Sequence, residues 1–226
     1  MNRYLLALFF LLTYFTVSSF AMGYEHLWSS LLDKYTIQNH HKGSLVTYLN
    51  YDELSKSQSF NSLLRIVSQT NPETMTDVQR RTFYINCYNI FVVKKLLESP
   101  KNYSLSYAFS IFNTPYTLSS LKKRIQKANP DYVYLLCDGS VSSPNLEAYL
   151  SSKLEAALSS AKMTFLKKSI TIDNSVRIIR YSDWFNKVNI NPNQVLGLLS
   201  DYNKGQDYSL IMVNMEDTQN VFKSKR

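Results

Sequence analysis

The sequence is poor in the residues from which most metal and cofactor sites are built. It contains five glycines, two cysteines and three histidines in 226 residues. Glycines this few and this scattered exclude a glycine-rich loop that cradles phosphate groups. Neither the cysteines nor the histidines have a zinc-ligand spacing such as C-x-x-C or H-E-x-x-H. The sequence therefore predicts no metal and no cofactor.

Histidine is also missing from the part of the chain where a nucleophile would need it. His26, His40 and His41 all precede the predicted central helix, whereas the candidate nucleophiles Cys137 and Ser143 follow it. A general base must lie within hydrogen-bond reach of its nucleophile. A Cys–His or Ser–His pair would require one of these histidines to fold back across the domain, and nothing in the sequence indicates this.

The chain opens with a short apolar run that is typical of an export signal. Arg3 gives a positive end, residues 4–15 are almost wholly apolar, and Ser19 and Ala21 are small residues where a signal peptidase reads. We expect cleavage after Ala21, which leaves residues 22–226 as a single domain, periplasmic or secreted. The alternative is an uncleaved anchor helix, which would be the only membrane contact and is barely long enough for the roughly 20 apolar residues required.

Basic residues exceed acidic ones by 25 to 17, but they are scattered along the chain. Short clusters lie at Lys122–Arg124, Lys167–Lys168 and Lys223–Arg226. A nucleic-acid-binding protein would concentrate such charge on one face, so we do not expect nucleic acid as a partner. Scattered charge favours solubility, or weak attraction to anionic surfaces of the cell envelope. The partner is unknown, and an envelope component or another protein are the classes considered.

Cys87 and Cys137 both remain in the exported chain and both lie in apolar runs. An oxidising compartment would allow one disulfide between them. Two buried free thiols are the alternative, because free cysteine is among the most buried residue types.

The distribution of patterns predicts an α+β fold, with a helical amino-terminal half and a small, mostly antiparallel sheet in the carboxy-terminal half. Thr76, followed three residues later by Gln79, is a capping-box pattern. From Phe83 to Leu97 apolar residues occupy every face, which is typical of a helix at the centre of a fold.

The stretch after the central helix reads as a strand, a loop and a helix. The apolar run Asp131–Cys137 predicts a buried strand. Ser143-Pro144 predicts the start of a helix, since a capping residue followed by proline is preferred there. Further on we expect a β-hairpin with the three-residue loop 173–175, a helix that starts at Asn191-Pro192, and a last strand over Tyr208–Val213.

Asn86 and Asn89 are the best polar candidates for a site, because they lie three residues apart on one face of the buried helix. They could orient a catalytic group or grip a substrate. They could also be buried amides that bind the backbone of a neighbouring loop, since a buried polar group left unsatisfied costs about 1–3 kcal/mol. Most buried side-chain amides are bonded inside the protein, which favours the structural role.

Several motifs resemble the family of the domain of unknown function 547 (DUF547). RRTFYINCYNIFVVKKLL is similar to the phrase A-F-W-I-N-x-Y-N, with Asn86, Tyr88 and Asn89 on its core. DYVYLLCDGSVSSPNLEAY resembles H-F-A-L-x-C-G-x-x-S-C-P-x-L, and TLSSL resembles S-L-D-D-I-E. Weaker matches extend the resemblance over residues 24–217. It implies a divergent, exported, bacterial-type member of a family without a settled activity, and invites comparison with papain-like and transglutaminase-like hydrolases.

The departures from the family pattern concern its reactive residues. Alignment on the glycine and proline of the loop puts Val133 where a histidine often stands, Asp138 at one family cysteine and Ser143 at the other. Lys123 replaces a second histidine. The first hypothesis is therefore a non-catalytic binding or envelope-associated module. The alternative is a divergent hydrolase or acyltransferase that uses Cys137 or Ser143, with Asp138 as a further candidate for a catalytic group.

Overall fold

The computed structural model describes residues 23–41, 44–99, 104–140, 142–199 and 209–213. The predicted signal peptide, residues 1–21, lies outside them. Among the described helices, none combines the length and the apolarity that a membrane crossing requires.

The amino-terminal part contains a helix and a β-hairpin. Helix α1 covers residues 23–35 and buries Tyr24, Trp28 and Leu31. Strands β1 (Thr36–His41) and β2 (Ser44–Leu49) follow and pair antiparallel. The hairpin adds a small sheet to a half of the chain for which the sequence predicted helices.

Three helices lead into the centre of the fold. Helix α2 covers Tyr51–Ser55, α3 covers Gln58–Gln69, and α4 covers Asp77–Glu98 after a short 3-10 turn. The capping box at the start of α4 is confirmed: the Thr76 hydroxyl accepts from the Gln79 N–H at 3.4 Å, and the Gln79 side chain accepts from the Thr76 N–H at 3.0 Å. Residues 82–93 of α4 are all buried, so the predicted central helix is also confirmed.

A second hairpin and a basic helix pack near α4. Strands β3 (Ala108–Ile111) and β4 (Thr114–Thr117) pair antiparallel, and α5 (Leu118–Ala128) follows. The predicted strand over 131–137 is wrong. Residues Pro130–Leu135 form a 3-10 helix whose Tyr132, Val133, Tyr134 and Leu135 are buried. A short apolar run shows that a segment is buried without distinguishing a strand from a helical turn.

The predicted helix start at Ser143-Pro144 is also wrong. Residues 144–150 have no regular secondary structure, and helix α6 covers Leu154–Ser169 after a 3-10 turn at Ser151–Lys153. Leu146 and Tyr149 are nevertheless buried. Residues 144–150 thus run through the interior as an irregular segment, which requires partners for its main-chain polar groups.

The carboxy-terminal part is the predicted small, mostly antiparallel sheet. Its strand order is β5 (Ile170–Asp173), β6 (Ile178–Ser182) and β7 (Ser209–Val213). Strands β5 and β6 pair antiparallel, whereas β6 and β7 pair parallel. Helices α7 (Trp184–Lys187) and α8 (Pro192–Leu198) lie between β6 and β7 in the sequence. Together with the buried α4, this sheet confirms the α+β class.

The hairpin is confirmed but its predicted register is wrong. The prediction placed Ile172 opposite Val176, and the structure places Ile172 opposite Ile179. A four-residue turn over 174–177 replaces the expected three-residue loop. Arg177 has a positive φ of 53° there, a backbone conformation that few non-glycine residues adopt and that sequence patterns do not reveal.

Candidate functional site

Asn89 binds the main chain of the segment that follows the short 3-10 helix. Its side chain is fully buried in the middle of α4. The amide group donates to the carbonyl of Leu135 at 2.9 Å, and its oxygen accepts from the N–H of Cys137 at 3.0 Å. One side chain thus satisfies one acceptor and one donor of a buried, irregular backbone.

Asn86 binds the other end of the same segment in the same way. Its amide group donates to the carbonyl of Tyr149 at 2.8 Å, and its oxygen accepts from the Tyr149 N–H at 3.0 Å. Tyr88 is buried in α4 as well. It lies two residues after Asn86 and therefore on a different face of the helix. The structure brings Asn86 and Asn89 together at the loop and leaves Tyr88 in the apolar core.

The Cys137 thiol lies at the start of this loop, enclosed by the loop itself. Its side chain is 1% exposed. The sulfur accepts from the N–H of Gly139 at 3.3 Å and lies 3.6 Å from the Ser143 hydroxyl. Burial raises the pKa of Cys137 to about 11, so the thiol stays protonated at neutral pH. Cys87 is also a buried free thiol, which matches the second of the two alternatives for the cysteines.

Asp138 and Ser143 are used to hold the turn. The Asp138 carboxylate accepts from the N–H of Ser140 at 2.9 Å and from its hydroxyl at 2.6 Å. The Ser143 hydroxyl donates to the carbonyl of Ser140 at 2.9 Å and accepts from the Asp138 N–H at 3.3 Å. Gly139 has a φ of 84°, which a residue with a Cβ adopts only with strain. These contacts connect the two ends of the turn through the side chains of Asp138 and Ser143.

The side chain of Lys168 in α6 contacts this turn. The sequence analysis did not identify Lys168 as a site residue. Its ammonium group donates to the carbonyl of Ser143 at 2.6 Å and to the Asn145 side chain at 3.2 Å. Burial lowers the pKa of Lys168 to about 8, while Cys137 and Asp138 act in the opposite direction. A signal was available, because Lys168 follows the buried Ala161 and Phe165 at the spacing of one helix face.

The loop leaves little room for a substrate. A recess beside Asn145, Phe165 and Lys168 has a volume of about 10 Å³, the space of about one water molecule. Among the three histidines only the side chain of His26 is described, and it forms no hydrogen bond with Cys137 or Ser143. No group of three or more His, Cys, Asp or Glu residues that could hold a metal ion occurs among the described residues. The arrangement can order a loop, and it presents no accessible nucleophile.

Comparison with known proteins gives one family. Residues 72–166 match the family described as "Protein of unknown function, DUF547". The match contains the motif around Asn86 and Asn89 and the whole loop up to α6, but not the weaker motifs proposed outside it. Searches of the curated proteins and of the solved structures find no match.

Proposed function

Through residues 72–166 the chain belongs to the DUF547 family, whose function is unknown, and on that premise we propose that it is an exported binding module without catalysis at the loop 137–143. The observation that carries the proposal is the enclosure of the candidate nucleophiles. Ser143 is fully buried and Cys137 nearly so, and both are hydrogen-bonded within their own turn.

The state of the thiol supports the same conclusion. A nucleophilic cysteine is normally a thiolate, with its pKa lowered by a neighbouring positive charge or a helix amino terminus. In Cys137 burial dominates and raises the pKa to about 11. Helix α6 begins eleven residues after Ser143, at Leu154, so the loop does not lead directly into a helix amino terminus that would favour an anion there.

The exported location is supported by the amino-terminal sequence. Arg3, the apolar residues 4–15 and the small residues at positions 19 and 21 form the pattern of a cleaved signal. The net charge is +8 for the full chain and +7 after loss of Arg3, and it favours residence near anionic envelope surfaces. Amino-terminal sequencing of the chain recovered from the periplasm or the medium checks this part, and a start at Met22 is the expected result.

Labelling with iodoacetamide at neutral pH tests the enclosure of the thiol. We expect Cys137 to stay unmodified in the native protein and to react after unfolding, as detected by mass spectrometry of its peptide. Cys87 serves as an internal control, because it is equally buried and lies outside the loop. Modification of native Cys137 while Cys87 remains protected would contradict the proposal.

A second candidate function is supported by Lys168. A lysine whose pKa is about 8 is partly neutral under mildly basic conditions and can act as a general base. A divergent hydrolase or acyltransferase would then use Cys137 or Ser143 as nucleophile. This candidate predicts hydrolysis of activated esters or thioesters that Asp138→Ala, Cys137→Ala or Ser143→Ala abolishes in folded protein. The first candidate predicts no turnover that depends on these residues.

A further inference from the structure

A cavity lies away from the loop, between α4, α5 and the short 3-10 helix at Pro130–Leu135. Its volume is about 220 Å³. Three arginines, Arg80, Arg81 and Arg124, line it together with Tyr84 and Tyr132. We refer to it as the arginine cleft. This volume is enough for a small ligand group, in contrast to the recess beside Lys168.

The positive charge of one of the three arginines is already balanced by neighbouring carboxylates. Arg80 forms ion pairs with Asp77, one turn earlier in α4, and with Glu73 at 3.6 Å. Within the described part of the chain, no carboxylate lies in ion-pair distance of Arg81 or Arg124. Asp77 also lines the cleft, and Asp77 and Glu155 act electrostatically on Arg81 from beyond ion-pair distance. The cleft therefore contains two arginines that have no carboxylate in direct contact.

The tyrosines of the cleft position these two guanidinium groups. The Arg124 guanidinium lies over the ring of Tyr84, 4.6 Å from its centroid. A hydrogen bond with the Tyr132 side chain raises the pKa of Arg81. A stacked or hydrogen-bonded guanidinium loses less freedom when it binds a ligand, because part of its ordering has already occurred.

We propose that the arginine cleft binds a phosphate monoester group through Arg81 and Arg124. Guanidinium groups bind phosphate through paired, charge-assisted hydrogen bonds. A phosphate monoester carries close to two negative charges and three terminal oxygens, which matches two arginines without a carboxylate in direct contact better than a carboxylate with one charge does. The inference rests on the proposed function as a binding module. It specifies the binding site and the chemical class of the ligand.

Isothermal titration calorimetry on the purified full-length chain tests this inference. Inorganic phosphate and phenyl phosphate are the two probes that are titrated into the protein. We expect saturable binding that weakens as sodium chloride is added. Arg81→Gln and Arg124→Gln should each weaken binding roughly ten-fold or more, as expected from a charge-assisted hydrogen bond. Arg65→Gln, the same exchange at an exposed position of α3 outside the cleft, is the matched control.

A second arm distinguishes a soluble ligand from a lipid headgroup. Vesicles of phosphatidylcholine with phosphatidic acid present a phosphate monoester, and vesicles with phosphatidylglycerol present a diester. Binding of only phosphatidic acid vesicles, lost in Arg81→Gln, supports the inference and assigns the phosphate to a lipid. The inference is overturned if no probe binds, or if Arg81→Gln and Arg65→Gln weaken binding equally. Activity that depends on Cys137 or Ser143 would instead refute the absence of catalysis and leave the cleft unaffected.

Discussion

The substitution Asn89→Ala tests the role of the buried amide most directly. It removes the donor to the Leu135 carbonyl and the acceptor of the Cys137 N–H, both in the interior. Each main-chain group left without a partner costs about 1–3 kcal/mol, so the free energy of unfolding should fall by about 2–6 kcal/mol. Total stabilities are typically about 5–15 kcal/mol, so this loss is a large fraction.

Thermal and urea unfolding measure this loss. For a chain of this size, each kcal/mol lowers the melting temperature by about 2–4 °C, so a fall of at least about 4 °C is expected. Asn61→Ala is the matched control, because Asn61 lies exposed in α3 and alanine there slightly favours the helix. If the two variants unfold within about 0.5 kcal/mol of each other, a difference typical of neutral surface changes, the structural role of Asn89 is refuted.

Two further predictions concern the start of α4 and the charge of Lys168. Thr76→Ala removes one half of the capping box and should cost about 1 kcal/mol in urea unfolding; Thr76→Ser keeps the hydroxyl and should cost only a few tenths. The pKa of Lys168 is lowered from its ordinary 10.5 to about 8 in the folded chain. From pH 8 upward the unfolded state therefore holds a proton that the native state has lost, and stability rises with pH. Lys168→Met should remove this contribution, which amounts to about 1 kcal/mol between pH 8 and pH 9.

Each of these outcomes can be contradicted by a clear result. Equal urea midpoints for Thr76→Ala and the parent chain would exclude a contribution from the cap. The same dependence of stability on pH in Lys168→Met and the parent would show that Lys168 does not titrate near 8. The parent and Lys168→Met are compared at each pH, because the two buried thiols, whose pKa values are raised, make the stability of both chains fall as pH rises through the ordinary thiol pKa of about 8.5.

Local sequence signals predicted the features that depend on local contacts. The capping box of Thr76 and Gln79 needs only residues three apart, and the burial of α4 follows from apolar residues on every face. The capping box at Asn191, with Gln194 three residues later, was found in the same way. The α+β class follows from the sum of such segments.

The path of the loop could not be predicted, because it depends on contacts between distant residues. Ser143-Pro144 looks like a helix start, yet the backbone at Tyr149 takes its hydrogen bonds from Asn86, 63 residues earlier. A helix would have satisfied the same groups locally. Whether these residues form a helix or an irregular segment depends on how α4 packs against the loop. The local sequence does not contain this information.

The clustering of positive charge in the arginine cleft could not be predicted for the same reason, because the residues are distant in the sequence. In the sequence the arginines belong to separate short runs, RRTF at 80–83 and LKKR at 121–124, and they read as scattered solubilising charge. The fold brings α4 and α5 together, so that Arg81 and Arg124 line one cavity. The sequence shows that these arginines are present, but it does not show that they lie close together in the fold.

The paired bonds of Asn86 and Asn89 have a consequence for how α4 relates to its surroundings. A helix uses its own peptide groups internally and has none left to pair with a neighbouring chain, whereas a strand does. A side-chain amide carries the same donor and acceptor as a peptide group, so each asparagine gives α4 one pairing position of the kind a strand has. The two anchored points therefore fix both ends of the segment, while Asp138, Gly139 and Ser143 fix the turn between them. An insertion of one residue between Asn86 and Asn89 would turn one amide away by about 100° and release one end of the segment.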